Sequence, residues 1–317
     1  MGRDSVTARR SFPSSPSPSA PSPSSPRLRS LAAAVAAQAA SNRSVTGNEE
    51  HLAGHRARMM REILLRAPAG GGGRLCLLGV GSANDVDLDV LADRFAEVHL
   101  VDIDRKSVAQ AVAKVAEGKR GRLVIHAPVD ASGIFHLLDT WSRQAPAQPI
   151  IDRAAGDAPG RVAAALPGPF DLVVSCCLLT QLQLVLLQVI GDQHPRFAEL
   201  RLALGAIHVR TLTGLLAPKG VALLVTDLTS SATFPFDLIE PNDDLGALMG
   251  RLLAANNVIY ASHPGRLSAE IRRDPELAAH FAVRFPIGPW LWHNGPEQIY
   301  LVYALEIVRR PEPVGSV

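Results

Sequence analysis

The chain has 317 residues, of which 47% are apolar and 20% charged, a composition typical of a soluble globular protein with a large core. The net charge of +2 comes from residues 1–30, which hold five arginines and one acid, so residues 31–317 carry 2 − 4 = −2. This balance argues against a nucleic-acid binder, and no apolar run approaches the roughly 20 residues that cross a bilayer.

The cysteines indicate a reducing compartment. Only three are present, two of them adjacent at Cys176 and Cys177. They provide neither a disulfide framework nor the ligand spacing of a zinc site. We therefore expect no bound metal and a cytoplasmic location.

The N-terminal segment differs in composition from the rest of the chain. Residues 1–42 are rich in Ser, Pro and Ala and are predicted to be a disordered tail with a possible short helix from Leu31. The abundance of Arg and Ser also resembles an organelle transit peptide, although a solvated tail is favoured. Residues 43–310 are predicted to form a single domain, with a helix in 43–68 and the core in 70–310. A flexible end is expected at 311–317.

Strand-like apolar runs alternate with helical spacing through this domain. The strand-like runs are 75–78, 98–101, 122–126, 170–175 and 221–226, followed by two extended runs at 281–287 and 298–308. The last two flank GPWLWHNGPE, which is typical of a hairpin with a long loop. The fold class is therefore predicted to be α/β: a doubly wound, mostly parallel seven-stranded sheet with a C-terminal antiparallel hairpin and helices on both faces.

The helical segments are predicted from different features of the sequence: apolar spacing, composition and stop signals. Residues 48–66 have the spacing of an amphipathic helix, which either packs on the domain or forms a lid over a ligand. Residues 144–169 are predicted to be a long loop or a short helix around Val162. Long helices are expected at 176–190 and 196–216, the second ending at the stop signal Ala217-Pro218-Lys219-Gly220.

The stretch from Arg74 to Asp104 has the pattern of a ligand-binding site. Its first strand is followed by a turn with two glycines, Gly79 and Gly81, then by a helical pattern, a second strand and the acid Asp102. Glycines allow the backbone to approach a ligand closely, and an acid 23 residues after the first glycine suits ribose hydroxyls. This order is typical of a site for an adenosine-containing cofactor.

Two cofactors fit this pattern, a nicotinamide dinucleotide and S-adenosylmethionine. The third glycine of the dinucleotide motif is replaced by Asn84, which disfavours a pyrophosphate beside the helix. Asp130, just after the third strand, suits recognition of an adenine amino group. The predicted antiparallel hairpin also departs from a dinucleotide fold. All three features favour S-adenosylmethionine.

The motifs LLGVGSAND, HLVDID, PVDAS, FDLVVSCCLLTQL and LLAPKGVALLVTD resemble, in order and spacing, those of class I S-adenosylmethionine-dependent methyltransferases. The resemblance covers roughly residues 70 to 308 and implies a seven-stranded sheet with one reversed strand.

The resemblance also implies cofactor-binding roles for individual residues. Gly79 and Gly81 would line the methionine and ribose portions, Asp102 would bind the ribose, and Ile103 would flank the adenine. Further implied contacts are Asp130 and Ala131 at the adenine edge and Ser175 and Cys176 beneath the sulfonium.

One position departs from the family pattern. The family often has an acid two residues before the first glycine, where this chain has Leu77. Asn84 and Asp85 are two polar residues at the start of the next helix. They either supply cofactor contacts instead or act as a helix N-cap.

Methyl transfer is an in-line displacement whose difficulty the cofactor largely removes, so the pattern assigns no catalytic residue. Asp227, at the end of the fifth strand, is the best-placed base, and Thr180 and Gln181 are candidates for the acceptor pocket.

The aromatic residues of the predicted hairpin loop are Trp290, Trp292 and His293. They are expected either to stack on an acceptor or to pack on the domain. The adjacent cysteines are interpreted as inert packing residues.

The fourth strand ends without an Asn/Asp-Pro-Pro-aromatic motif and without a Pro-Cys nucleophile. This disfavours adenine, glutamine-amide and cytosine acceptors. The resulting hypothesis is an S-adenosylmethionine-dependent methyltransferase with a small-molecule acceptor. The alternatives are a nicotinamide-dependent oxidoreductase and a non-catalytic, cofactor-binding scaffold of the same fold.

Overall fold

The computed structural model of the chain describes residues 30–44, 49–240, 242–294 and 298–311. Residues 1–29 of the tail predicted for 1–42, and residues 312–317 of the flexible end predicted for 311–317, lie outside the described residues.

The strands are β1 (Arg74–Leu78), β2 (Glu97–Val101), β3 (Leu123–His126), β4 (Phe170–Cys176), β5 (Leu216–Ser230), β6 (Phe281–His293) and β7 (Ile299–Arg309). They form one seven-stranded sheet in the order β3-β2-β1-β4-β5-β7-β6. The pairs from β3 to β5 are parallel, while β7 runs antiparallel to both of its neighbours. The predicted mostly parallel sheet with one reversed strand is therefore confirmed, and it agrees with the fold that the resemblance implies.

The helices are α1 (Leu31–Ser44), α2 (Glu49–Arg66), α3 (Leu88–Arg94), α4 (Arg105–Ala113), α5 (Glu117–Arg120), α6 (Phe135–Trp141), α7 (Gln148–Ala164), α8 (Leu178–Ile190), α9 (Phe197–Gly214), α10 (Leu245–Ala254), α11 (Pro264–Arg273) and α12 (Pro275–His280). Short 3₁₀ turns lie at Phe236–Leu238 and Tyr260–Ser262. No described helix combines the length and apolar content needed to span a bilayer.

Both faces of the sheet are covered, and the pleat of β1 shows how. Leu75 and Leu77 belong to one hydrophobic cluster, together with the buried side of α2. Cys76 and Leu78 belong to the other, together with α6 to α9. Successive side chains of a strand point to opposite faces, so an uninterrupted apolar run is the pattern of a strand buried on both sides.

Helix α1 lies on the domain. Ala34 is fully buried, and the backbone N–H of Leu31 donates to Asp139 Oδ1 at 2.8 Å. The predicted boundary between tail and domain at residue 42 thus falls inside a helix that packs against the core.

The prediction of a long loop or short helix for residues 144–169 is wrong, because α7 runs for 17 residues. Its buried residues Ile151, Ala154, Ala158 and Val162 recur every three or four positions, so one stripe of the helix is buried, and α7 packs mainly against α9. Proline at the start of a helix is favourable, and the internal Pro159 is tolerated in this packed setting. Ala, Pro and Gly had obscured this stripe in the sequence.

The predicted stop signal after α9 is only partly right. Helix α9 ends at Gly214, but residues 216–220 belong to β5, which begins opposite Phe170. Only Leu216 pairs with β4 before regular pairing resumes at Val221 opposite Leu172, so residues 217–220 form an irregularity within β5 and keep their turn-like character.

Candidate functional site

The carboxyl ends of β1, β2, β4 and β5 meet at one edge of the sheet, where ligands bind in open α/β folds. Gly79 and Gly81 leave β1 with φ of +74° and +50°, a region that side chains disfavour. A Cβ on Gly79 would lie 2.8 Å from Leu178 Cβ, so the turn passes closely over the start of α8. Glycine therefore fits this position, where any side chain would overlap Leu178.

Asp102 is tied to this turn by hydrogen bonds. Its Oδ2 accepts from the Gly81 N–H at 2.8 Å, and its Oδ1 accepts from the Asp104 N–H at 2.8 Å. Asp102 is 8% exposed, and burial raises its pKa despite the hydrogen bonds that favour the ionised form. Each carboxylate oxygen accepts more than one bond, so both retain capacity for a diol.

Two cavities border the turn, and Gly79 and Gln181 line both of them. The smaller has a volume of about 40 Å³, room for only a few water molecules. It is lined by Asp102, Ile103, Asp130 and Ala131, which the sequence assigns to the adenosine, and by Val35 and Ala39 of α1. Entry of a purine therefore requires α1 or its neighbours to move.

Asp130 shapes the loop of the smaller cavity. Its Oδ1 accepts from the Ser132 N–H at 2.8 Å, and its Oδ2 accepts from the Phe135 N–H at 2.9 Å. The carboxylate thus organises the turn into α6. The predicted contact with an adenine amino group remains a prediction, and it would use the lone pairs that these bonds leave over.

The larger cavity, of about 430 Å³, opens on the other side of Gly79. Asn84, Asp85, Thr180 and Gln181 line it, as does Asp227 from β5. A volume in this range is typical of a small-molecule site. The sequence named all five residues, and the fold brings them together.

The N-cap interpretation of Asn84 and Asp85 is wrong. The N-cap of α3 is Asp87, whose side chain accepts from the Val90 N–H at 3.1 Å. The backbone carbonyl of Asn84 accepts from Arg56 Nε at 2.8 Å, which attaches the turn to α2. Both side chains are therefore available to the cavity.

Asp85 lies in an unusual electrostatic environment. Burial and then the nearby Asp227 raise its pKa to about 7, and Arg56 offsets only part of this. Its side chain is 17% exposed, and its Oδ1 is 3.6 Å from His55 Nε2. A carboxyl group that titrates near neutrality at a cavity wall is characteristic of functional sites.

The Trp290 indole fixes the protonation of His55. His55 is 1% exposed, and burial lowers its pKa to about 3, so the ring is neutral. Trp290 Nε1 donates to His55 Nδ1 at 3.0 Å, which makes Nδ1 an acceptor and leaves the proton on Nε2. That N–H faces Asp85, and Trp292 stacks on the other side of the imidazole with centroids 4.6 Å apart.

Asp227 is the second buried acid of the cavity. It is 5% exposed, its Oδ2 accepts from Thr180 Oγ1 at 2.6 Å, and its Oδ1 has no hydrogen-bond partner among the described residues. Burial raises its pKa to about 6, against the lowering effects of Thr180 and the Cys177 thiol. An acid with these properties is a suitable base.

Replacing Asp85 by asparagine should stabilise the ligand-free protein by about 2 kcal/mol above pH 7, because the folded state no longer keeps a buried charge. The raised pKa means that this gain is complete above about 7 and shrinks as pH falls towards the ordinary value of 3.8. Urea unfolding at pH 8, 6 and 4 measures it. Asp237→Asn, at an exposed position, is the control. Equal stability of Asp85→Asn and wild type at pH 8 would contradict the electrostatic account.

The prediction that Ser175 and Cys176 lie beneath the sulfonium is not supported by their positions. Ser175 is fully buried and its Oγ is 2.8 Å from His208 Nε2. Cys176 lies in the hydrophobic cluster on the α2 side of the sheet, and neither residue lines the two cavities. Burial raises the pKa of the Cys176 and Cys177 thiols, as expected for inert packing residues.

Trp290, Trp292 and His293 lie in β6 and not in a loop, because that strand continues to His293. Both tryptophans contact His55 of α2, and Trp292 also lines the larger cavity. The sequence did not reveal Arg201, Tyr260 and Tyr300, which also line this cavity. They come from α9, a 3₁₀ turn and β7, and no local motif marks them.

Within the described residues, no group of His, Cys, Asp or Glu side chains has an arrangement that would hold a metal ion. The three cysteines are unpaired and buried.

No protein-family model matches the sequence, and no curated protein matches it significantly. Solved structures that it resembles include magnesium protoporphyrin IX methyltransferase (ChlM) from Synechocystis PCC 6803 with bound SAH, which is 15% identical at a TM-score of 0.46. That match covers 87% of this chain and 96% of the other. The O-methyltransferase TomG from Streptomyces achromogenes, in complex with SAM, is 13% identical at a TM-score of 0.36, covering 87% and 89%. A SAM-dependent methyltransferase from Methanosarcina mazei is 10% identical at 0.42, covering 78% and 96%.

Proposed function

We propose that this protein is an S-adenosylmethionine-dependent methyltransferase that acts on a small-molecule acceptor. The observation that carries the proposal is the junction at Gly79. It separates a cavity bordered by Asp102, Ile103 and Ala131 from a larger one bordered by Asp85 and Asp227. The first has the side chains for an adenosine, which would enter once α1 or its neighbours move, and the second has the volume for a methionine portion together with an acceptor.

The residues present fit this methyl donor. Gly79 brings a backbone without a side chain to the wall of both cavities, and Asp102 presents buried carboxylate oxygens. When bound, the donor supplies a methyl group on a positively charged sulfur. Asp102 would hold the ribose, Ile103 would pack on the adenine, and Asp85 or Asn84 would contact the methionine end in place of the acid missing at Leu77.

The nicotinamide alternative is disfavoured by the same geometry. Asn84 stands where a dinucleotide site has its third glycine, and its backbone carbonyl is bound by Arg56. The reversed strand β7 also interrupts the parallel order beyond β5. The unpaired, buried cysteines support a reducing compartment such as the cytoplasm.

Calorimetric titration tests the proposal. We expect S-adenosylmethionine and S-adenosylhomocysteine to bind the purified full chain with one site each, and NADH not to bind. Binding of NADH without either adenosyl ligand would overturn the proposal.

A further inference from the structure

The larger cavity has an excess of negative charge at the strand ends. Its described lining residues include two carboxylates, Asp85 and Asp227, and one guanidinium, Arg201. Arg201 is stacked on an aromatic ring, with Cζ 3.8 Å from the Tyr260 ring centroid. The two acids are close enough for Asp227 to raise the pKa of Asp85. A cation placed between them would be bound strongly, because it would relieve this repulsion.

Asp227 lacks a cationic partner of its own. Among the described residues, the partners of its carboxylate are neutral: the Thr180 hydroxyl donates to Oδ2 and the Cys177 thiol also hydrogen-bonds the group, while Oδ1 has no partner in the hydrogen-bond geometry. The titratable groups around it are the Cys177 thiol at the start of α8, Asp85 after β1, and the hydroxyls of Tyr300 and Tyr303 on β7. None of them is positively charged. A buried carboxylate left in this state points to a ligand that supplies the charge.

Building on the function proposed above, we propose that the acceptor is a protonated primary or secondary amine, which forms an ion pair with Asp227 and loses its proton to it. Trp292 and Tyr300, with ring centroids 5.1 Å apart, supply an aromatic wall beside the ammonium. Asp85 is left to the methionine end of the donor, since it lies in the same turn as Asn84.

The reaction balances with these groups alone. The ammonium gives one N–H proton to the Asp227 carboxylate, and the nitrogen lone pair becomes free. A new N–C bond then forms to the donor methyl group while the C–S bond breaks and its electron pair stays on sulfur. The products are an N-methylammonium ion, a neutral thioether and a protonated Asp227, which returns its proton to solvent. A carboxyl pKa raised to about 6 makes Asp227 a stronger base than an ordinary aspartate.

The first experiment compares acceptors of matched shape. Methyl-labelled S-adenosylmethionine is incubated with wild type and with 2-phenylethylamine, 2-phenylethanol, 2-phenylethanethiol or 3-phenylpropanoate as probes. We expect label in the amine at least tenfold above the other three. The amine proposal is overturned if another probe is labelled more than the amine, if all four probes are labelled equally, or if none is labelled. The proposed function fails separately, if the donor does not bind in the calorimetric titration.

The second experiment uses Asp227→Asn, with Asp237→Asn at an exposed position as the matched control. We expect Asp227→Asn to lower labelling of the amine at least a hundredfold and to remove the inflection near pH 6 from the wild-type rate profile. Equilibrium binding of 2-phenylethylamine to the protein saturated with S-adenosylhomocysteine should weaken at least tenfold. The affinities for S-adenosylmethionine and S-adenosylhomocysteine should stay unchanged. A selective loss of the affinity for S-adenosylmethionine, whose sulfur is charged, would assign Asp227 to the sulfonium and overturn the proposal.

Discussion

Replacement of Asp102 by alanine is expected to weaken the binding of S-adenosylmethionine at least a hundredfold. Two hydrogen bonds from ribose hydroxyls to a carboxylate are lost, and each contributes about 1.5–3 kcal/mol. A total of about 3 kcal/mol corresponds to roughly a hundredfold in Kd. The same carboxylate accepts hydrogen bonds from the Gly81 and Asp104 N–H groups, so the turn also loses the two bonds that hold it in place. Calorimetric titration measures the effect.

Two further variants separate ribose binding from general damage. Asp102→Asn keeps one acceptor oxygen and should lose less affinity than Asp102→Ala. Asp192→Ala, at an exposed position outside both cavities, should bind as wild type does. Thermal unfolding checks that each variant folds. An Asp102→Ala protein that is folded and binds S-adenosylmethionine with wild-type affinity would refute the ribose assignment.

Replacement of Gly79 by alanine should lower the free energy of unfolding by about 2–4 kcal/mol and abolish donor binding. A residue other than glycine at a φ of +74° is strained by about 1 kcal/mol or more. The new Cβ would also lie 2.8 Å from Leu178 Cβ, at the start of α8, and relief of that overlap costs a further 1–3 kcal/mol. Urea unfolding and calorimetric titration measure the two effects.

Gly118→Ala is the matched control for this substitution. A Cβ at Gly118 meets no atom within 4 Å, and the residue lies in the exposed helix α5. We expect it to leave stability and donor binding unchanged or to stabilise the helix slightly. A Gly79→Ala protein with the stability and affinity of wild type would show that the turn is not a close-approach site.

The site is predictable from sequence where its parts are adjacent along the chain. The unit from β1 to Asp102 is one strand, one turn, one helix and one strand, and its apolar runs and glycines mark each boundary. Parallel pairing of β1 with β2 then places Gly79 beside Val101 and brings Asp102 to the turn. Asp227 does not end β5 as predicted, because pairing with β7 continues the strand to Ser230. It still reaches the same edge, because the parallel pairing of β5 with β4 stops at Val225, two residues before it.

The predictions fail where the direction of a side chain matters. Ser175 and Cys176 end β4 at the correct edge, yet the pleat turns their side chains to opposite faces of the sheet, where both are buried. The N-cap of α3 moved to Asp87 because the turn after Gly81 is longer than its local sequence indicates. Such details depend on which neighbours each residue meets.

The sheet, its reversed strand and the glycine turn beside Asp102 could be predicted from the sequence, because hydrophobic period, glycine and strand-end acids are local signals. The complete lining of the larger cavity could not, although the sequence indicated several of its residues one by one. Asp85, Thr180, Asp227, Arg201 and Trp292 come from five separate segments, and His55 reaches Asp85 from α2. Their convergence depends on helix packing and strand register, which no single stretch of the chain encodes. The raised pKa values of the two acids arise only there, because burial and mutual repulsion exist only once the segments meet.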